Sequence, residues 1–121
     1  MNKICIGILL FFSPMIVANA AQKSVRCVLQ GLKDPIAFVV PSKAGDLPKI
    51  DFPYAVKTIL FSLRDKNLIL VAVDQDDASR MRLFLSAQAH TNKKRYEGQF
   101  MTDYGGNQLQ LDNGPVSCEI K

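Results

Sequence analysis

Tryptophan is absent from this sequence of 121 residues, histidine occurs once, and glutamate occurs only as Glu97 and Glu119. Without tryptophan, the chain lacks the ring that packs on the disulfide of an immunoglobulin domain. For the single histidine, His90, no sequence spacing identifies a nucleophile or an orienting group that would make it a catalytic base. A G-x-S-x-G motif and a phosphate-binding glycine loop are also missing. We therefore predict no catalytic residues and a protein that is not an enzyme, with a small hydrolase as the least favoured alternative.

Clustered carboxylates are few, and they do not form a calcium loop. Asp74, Asp76 and Asp77 stand together, but a loop starting at Asp74 needs glycine at its sixth position and glutamate at its twelfth. Ser79 and Leu85 occupy those positions. The cluster is typical of an acidic β-turn, so we expect neither a metal nor a cofactor.

No apolar run is long enough for a membrane helix, which needs about 20 residues. The run at residues 4–17 is interrupted by Pro14, follows Lys3 and ends before Ala18-Asn19-Ala20. Small residues at those positions suit a signal peptidase. We predict a cleaved signal peptide at residues 1–20, a single β-domain at 21–121, no membrane anchor, and a secreted or periplasmic location.

Charge is modest and unclustered. Removing the leader takes one lysine from the 15 basic residues and none of the 11 acids, which leaves a net charge of +3. A nucleic-acid surface needs a concentrated basic patch, and a membrane surface needs runs of lysine and arginine. We expect neither of these partners.

Cysteine is also scarce, and its distribution is informative. Cys5 leaves with the leader, so Cys27 and Cys118 remain. An even number of cysteines in an exported chain favours a disulfide, and two cysteines allow one intramolecular pairing. They form no C-x-x-C motif and have no neighbouring histidine, so a redox or metal pair is disfavoured. We predict a Cys27–Cys118 bond that ties the first strand to the last.

What the sequence does contain is the alternation of β-strands. Alternating or continuously apolar segments lie at 25–29, 36–40, 56–63, 68–73, 80–90, 96–104, 109–111 and 116–120. Turn residues separate them at 65–67, 74–77, 105–107 and 113–115, and the proline-rich segment 41–53 predicts a long irregular connection. We predict an all-β fold: a small antiparallel β-sandwich or β-barrel of seven or eight strands.

Residues 80–90 allow two interpretations. As a strand, Met81, Leu83 and Leu85 face inward while Arg80, Arg82 and Phe84 face outward. As a helix, Ser79 or Asp77 caps a weaker apolar stripe. The strict alternation favours the strand.

Without catalytic groups, binding is the favoured activity. On the strand interpretation, Phe84 either projects among cations or belongs to a second buried face. Connection 41–53 mixes cations with apolar groups and suits a partner's surface. The candidate binding residues are Lys43, Lys49, Phe52, Tyr54, Arg80, Arg82, Phe84, Lys93, Lys94 and Arg95.

These cations would steer an acidic partner toward the domain. The sequence thus predicts a non-enzymatic binding or inhibitor module for a protein or glycan. The alternative is a structural or assembly subunit of an envelope complex that pairs through a strand edge.

Overall fold

The computed structural model describes residues 22–90 and 94–121, so the predicted leader at 1–20 and Lys93 lie outside the described residues. Within the described ranges the chain is all β, without a helix, which confirms the predicted class. The strands are β1 (Ser24–Leu29), β2 (Ile36–Val39), β3 (Val56–Arg64), β4 (Asn67–Asp74), β5 (Met81–Ala89), β6 (Arg95–Asp103) and β7 (Leu111–Ile120).

All seven strands belong to one antiparallel sheet in the order β2-β1-β7-β6-β5-β4-β3. The sheet curls until its two edges approach: the rings of Phe38 in β2 and Phe61 in β3 meet edge to face, with centroids 5.4 Å apart. The architecture is a curled half-barrel, whereas the sequence left a sandwich and a barrel open. Its buried apolar side chains form one core: Val25, Cys27, Leu29, Ile36, Phe38, Leu68, Leu70, Ala72, Leu83, Leu85, Ala87, Tyr96, Phe100, Val116, Cys118 and Ile120.

The hairpin between β3 and β4 follows from its two central residues. Arg64 pairs with Asn67, and between them Asp65 and Lys66 have φ values of 54° and 65°. Two successive residues with positive φ match the right-handed twist of the flanking strands. The predicted turn at 65–67 therefore forms, with Asn67 already in β4.

Strand β7 corrects the predicted turn at 113–115. Asn113, Gly114 and Pro115 lie inside β7 and pair with Met101, Phe100 and Gln99 of β6. A strand residue directs its N–H and C=O to the same side. The Pro115 carbonyl accepts from the Gln30 N–H on the β1 side. The position without an N–H therefore also faces β1, and the hydrogen bonds between β7 and β6 lose no donor. Of the predicted segment 109–111 only Leu111 lies in a strand, and it belongs to the same strand as 116–120, so the described strands number seven.

Strand β5 confirms the strand interpretation of residues 80–90 but corrects its facing. Leu83 and Leu85 are buried as predicted, whereas Met81 is exposed and Arg82 is only 4% exposed. The reason is a β-bulge: Ala72 pairs with Leu83 and Val73 with Met81, so Arg82 has no partner opposite it. A bulge re-aims side chains, and an alternating pattern cannot reveal one.

The predicted disulfide is confirmed. Cys27 and Cys118 face each other in the β1–β7 ladder, with Cα atoms 4.0 Å apart and both side chains buried. The bond joins residues 91 positions apart along the chain. It therefore cross-links almost the whole described domain and restricts its unfolded state.

We expect removal of this bond to lower the free energy of unfolding by roughly 4 kcal/mol. Without the bond the unfolded chain regains the conformational entropy that closing so long a loop had removed. The measurement is urea denaturation of the oxidised protein and of a Cys27→Ala/Cys118→Ala variant. Equal midpoints would contradict a stabilising role.

A glycine permits the close approach of β5 and β6. Gly98 pairs with Ala87, and a Cβ at Gly98 would lie 1.9 Å from the backbone carbonyl oxygen of Ser86. No side chain can occupy that space without moving backbone. Glycine within a strand often marks such a bend or close approach.

Gly98→Ala should therefore destabilise the domain by at least about 2 kcal/mol through overpacking. Gly106→Ala is the matched control, because a Cβ there meets nothing within 4 Å. Thermal unfolding of both variants checks this, and equal melting temperatures would refute the proposed strain.

Candidate functional site

The bulge places Arg82 in a buried hydrogen-bond network. Its Nε donates to the backbone oxygen of Asp103 over 2.5 Å, one terminal nitrogen donates to the Asp74 carboxylate, and the other donates to the Gly105 carbonyl over 3.0 Å. All three guanidinium nitrogens thus have partners within the protein. Replacing these contacts with a ligand would leave buried carbonyl and carboxylate groups unpaired, which is costly.

Asp103, at the end of β6, is the anionic centre of the same region and is only 1% exposed. One carboxylate oxygen accepts from Arg80 Nε over 2.6 Å. The other accepts from the backbone N–H groups of Gly105 (3.1 Å) and Gln110 (3.0 Å). Arg80 also donates to the carbonyls of Gly105 and Gly106, at 3.2 and 2.8 Å. The network fastens loop 104–110 to the start of β5.

These contacts set the charge states of the network. The Arg80 guanidinium, assisted by the Gln110 and Gly105 N–H groups, holds the pKa of Asp103 far below its usual value despite burial. Asp103 in turn raises the pKa of Arg80. The Asp76 N–H and the Arg82 guanidinium lower the pKa of Asp74. Both carboxylates are therefore ionised at neutral pH, and neither is poised to act as a general acid.

Tyr54, the residue directly after connection 41–53, completes the network around Arg82. Its hydroxyl lies 2.5 Å from Thr102 Oγ1, which donates to the Arg82 carbonyl, so the Tyr54 hydroxyl is the donor to Thr102. The Arg82 guanidinium stacks over the Tyr54 ring at 5.2 Å from its centroid. Burial is the main reason that the pKa of Tyr54 is raised. The hydrogen bond of the hydroxyl and the cation–π contact hold the Tyr54 ring against the protein, so it does not project into solvent as a free binding group.

The structure thus corrects the predicted placement of two candidate binding residues. Arg82 is buried, and Arg80 is largely covered by its ion pair with Asp103. The sequence had placed both on a solvated face. Only the bulge and the distant Asp103 decide otherwise, and Asp103 was missed. One signal was available: an aspartate before Gly105-Gly106 can accept from an N–H two residues on, as it does here.

Asp103→Asn should lower the free energy of unfolding at pH 7 by about 3 kcal/mol, because it leaves the buried arginine contacts uncompensated. The folded pKa of Asp103 lies below its unfolded value of about 3.9, so its stabilisation is complete above about pH 5 and is lost progressively as the pH falls through the unfolded pKa towards the folded one. The wild-type and variant stability curves should therefore converge in acid. Urea unfolding between pH 7 and pH 2 measures this.

The control for this prediction is Asp76→Asn, an exposed aspartate in the neighbouring turn. The Asp76→Asn variant should unfold close to the wild-type midpoint at pH 7, because this side chain is exposed. Parallel Asp103→Asn and wild-type curves down to pH 2 would show that the ionised carboxylate is not what stabilises the network.

Connection 41–53 is divided between packing and exposure. Ile50 and Phe52 pack against the core, and Pro48 is buried. The ring of Phe52 lies 6.4 Å from that of Tyr54. Lys43 and Lys49 are exposed. The structure therefore places two predicted cations on the surface and draws the two aromatics toward the interior.

The basic stretch before β6 is partly neutralised. Arg95 pairs with Glu97 over 2.9 Å, and His90 lies 3.9 Å from the same carboxylate. All these side chains are about half exposed, and such surface pairs contribute little. Lys94 is exposed, and Lys93 lies outside the described residues. Arg95 lies at the start of β6, whereas Arg80 and Arg82 bond to Asp103 at the end of that strand, so the two groups belong to separate regions.

Phe84 lies on an outward-facing apolar row that crosses four strands. Leu60 pairs with Val71, Val71 with Phe84, and Phe84 with Met101. Leu60, Phe84 and Met101 are exposed large apolar residues, so Phe84 does not belong to a second buried face. The row ends on edge strand β3, where a bulge at Ile59 leaves Ile59 and Leu60 each 49% exposed.

A cleft of about 470 Å³ runs beside that edge; we call it the β3 cleft. Residues 40–46 line one side and residues 60–64 line the other. Its volume lies within the range of about 300–1,000 Å³ that is typical of binding pockets. Lys43 and Arg64 stand on opposite walls and are exposed, and Asp46 is the one acid in the lining. Among the described residues, Lys43 and Arg64 form no ion pair.

The described residues contain neither a metal-binding cluster nor a membrane-spanning helix. No group of three or more His, Cys, Asp or Glu side chains in residues 22–90 and 94–121 is arranged to hold a metal ion. Over the same ranges no helix is long and apolar enough to cross a membrane. Comparison with protein-family models, curated proteins and solved structures found no match to this chain.

Proposed function

We propose that this chain is an exported, non-enzymatic module that binds a protein partner at the β3 cleft. The observation that carries the proposal is the cleft itself: its lining combines the exposed apolar residue Leu60, next to exposed Ile59 on the same strand, with two cations that have no described partner. Exposed apolar groups beside arginine are typical of protein interfaces. The disulfide suits an oxidising compartment, which agrees with export.

Charge favours an acidic partner at this cleft. Lys43 and Arg64 flank it, Lys57 lies at the other end of β3, and Asp46 offsets only one of the three charges. These cations would accelerate encounter with an acidic surface, and salt would weaken this steering over distances beyond the ~10 Å Debye length at 0.1 M.

A protein partner is favoured over a glycan. The β3 cleft continues into the apolar row of Leu60, Phe84 and Met101, which present exposed apolar side chains on three strands above the buried Val71 of β4. Large exposed apolar patches mark protein contacts more often than isolated apolar residues do. A structural subunit of an envelope complex would use the same edge. It would differ from a binding module in that its complex is permanent.

Charge reversal at the cleft tests the proposal. The mature, oxidised protein is immobilised and exposed to its own envelope extract, and the retained protein is quantified for the wild type and for Lys43→Glu/Arg64→Glu. We expect retention of one defined partner to fall at least about tenfold, because like charges then face an acidic surface. Retention by the wild type should also fall as salt rises.

The matched control is Lys23→Glu/Lys33→Glu, which changes the net charge equally at two exposed lysines outside the cleft lining. Both double variants should unfold at the wild-type midpoint. Equal loss of the partner from both variants would show that net charge alone causes retention. Retention that survives reversal at the cleft would place the contact surface elsewhere.

A further inference from the structure

We infer that the partner enters the β3 cleft as an extended acidic segment and pairs its backbone with β3 as an added strand. This inference rests on the proposed function and specifies how the cleft recognises its partner. The mode is β-augmentation, in which backbone hydrogen bonds provide affinity and side chains provide specificity.

The two sheet edges differ in how well they are protected. β2 has four residues and is bracketed by Pro35 and Pro41, which lack N–H donors. Short edge strands and proline are the usual means of preventing unwanted pairing. β2 is therefore a poor template for another strand.

β3 is neither short nor interrupted by proline, and its one bulge is confined to Ile59. It spans nine residues, contains no proline, and has no charge between Lys57 and Arg64. Its neighbour in the sheet is β4 on one side only, so an edge strand of this kind presents unpaired N–H and C=O groups on the other. No backbone hydrogen bond joins residues 40–46 to β3 in the described chain, so the opposite wall of the cleft does not use these groups.

The side chains at this edge suit a partner strand. Ile59 and Leu60 are half exposed and would lie beside the apolar residues of an added strand. Such cross-strand pairs each contribute roughly 0.2–1 kcal/mol. The basic ends of β3, with Lys43 across the cleft, would pair with acidic residues that flank an apolar centre.

The same charges argue against a second copy of this chain as the occupant. Antiparallel pairing of two β3 strands brings the Lys57 end of one copy against the Arg64 end of the other. Like charges then meet at both ends of the pair, and like charges placed opposite each other are destabilising. A segment with acidic ends avoids this repulsion.

The test uses a synthetic blocked peptide with alternating valine and threonine and one glutamate at each end. Hydrogen exchange measured by mass spectrometry on the oxidised protein should show slower exchange across residues 56–64 when this peptide is present. Two control peptides carry lysine in place of both glutamates, or N-methyl groups on the alternate amides that face β3. Each backbone bond lost by N-methylation should weaken binding about fivefold.

The variants Leu63→Pro and Val28→Lys extend the test. Arg64 and Asn67 close the two-residue hairpin with hydrogen bonds, so the next pair in the alternating ladder, Leu63 with Leu68, is not hydrogen-bonded and the Leu63 N–H points away from β4. Leu63→Pro therefore removes a donor from the open edge and should abolish the exchange protection. If Leu63→Pro does not fold, the peptide controls still decide the question. Val28→Lys changes an exposed apolar residue on β1, outside the lining of the β3 cleft, and should bind the peptide like the wild type.

Equal binding of the N-methylated peptide, or binding without protection of residues 56–64, would overturn strand addition while leaving a side-chain contact in the cleft. Failure of the glutamate peptide to bind would also overturn it. The proposed function is decided separately by charge reversal with the envelope partner, so the two failures are distinguishable.

Discussion

The curl of a single sheet that does not close by hydrogen bonding is the constraint on which the rest of this structure depends. Seven antiparallel strands bring the edge strands β2 and β3 within ring contact through Phe38 and Phe61, and the ladder order leaves both strands as edges. The inward face becomes one core, and the gap between the edges becomes a cleft. A flat sheet of the same strands would bury less of this face and would hold its edges apart.

Two cross-links at different places hold the curl. The disulfide joins β1 to β7, the second and third strands from the β2 edge, so the first and last strands are tied at two buried positions. At one end of β5 and β6, Asp103 and the two arginines tie loop 104–110 to the bulge. The first acts mainly on the unfolded chain, and the second acts through buried charge pairing in the folded one.

This division explains which charged residues remain available for recognition. Arginine is common at interfaces, but Arg80 and Arg82 donate to acceptors within the fold. Lys43 and Arg64 have no internal acceptor of this kind among the described residues. A cation paired with an internal carboxylate stabilises the fold and keeps that carboxylate ionised. A cation without such a pair adds to the positive potential that an incoming partner meets.

Local pattern was enough for much of the fold. Alternation identified the strands, the predicted loss of Cys5 with the leader left one disulfide pairing, and Asp65-Lys66 marked a hairpin, because each of these depends on neighbouring residues or on a simple count. The same reasoning failed at Arg82 and at 113–115. A bulge and a proline tolerated within a strand depend on the partner strand, which lies far away in sequence.

The candidate site was determined least by the sequence. Lys43 was predicted as a binding residue, but Arg64, Leu60 and the cleft were not, because a cleft exists only when the sheet curls and brings residues 40–46 beside residues 60–64. The sequence by itself determined the seven strand regions, the hairpin between β3 and β4, and the cysteine pair. Only the tertiary structure decided which charges are buried and which edge is open, since both depend on contacts between residues far apart in the chain.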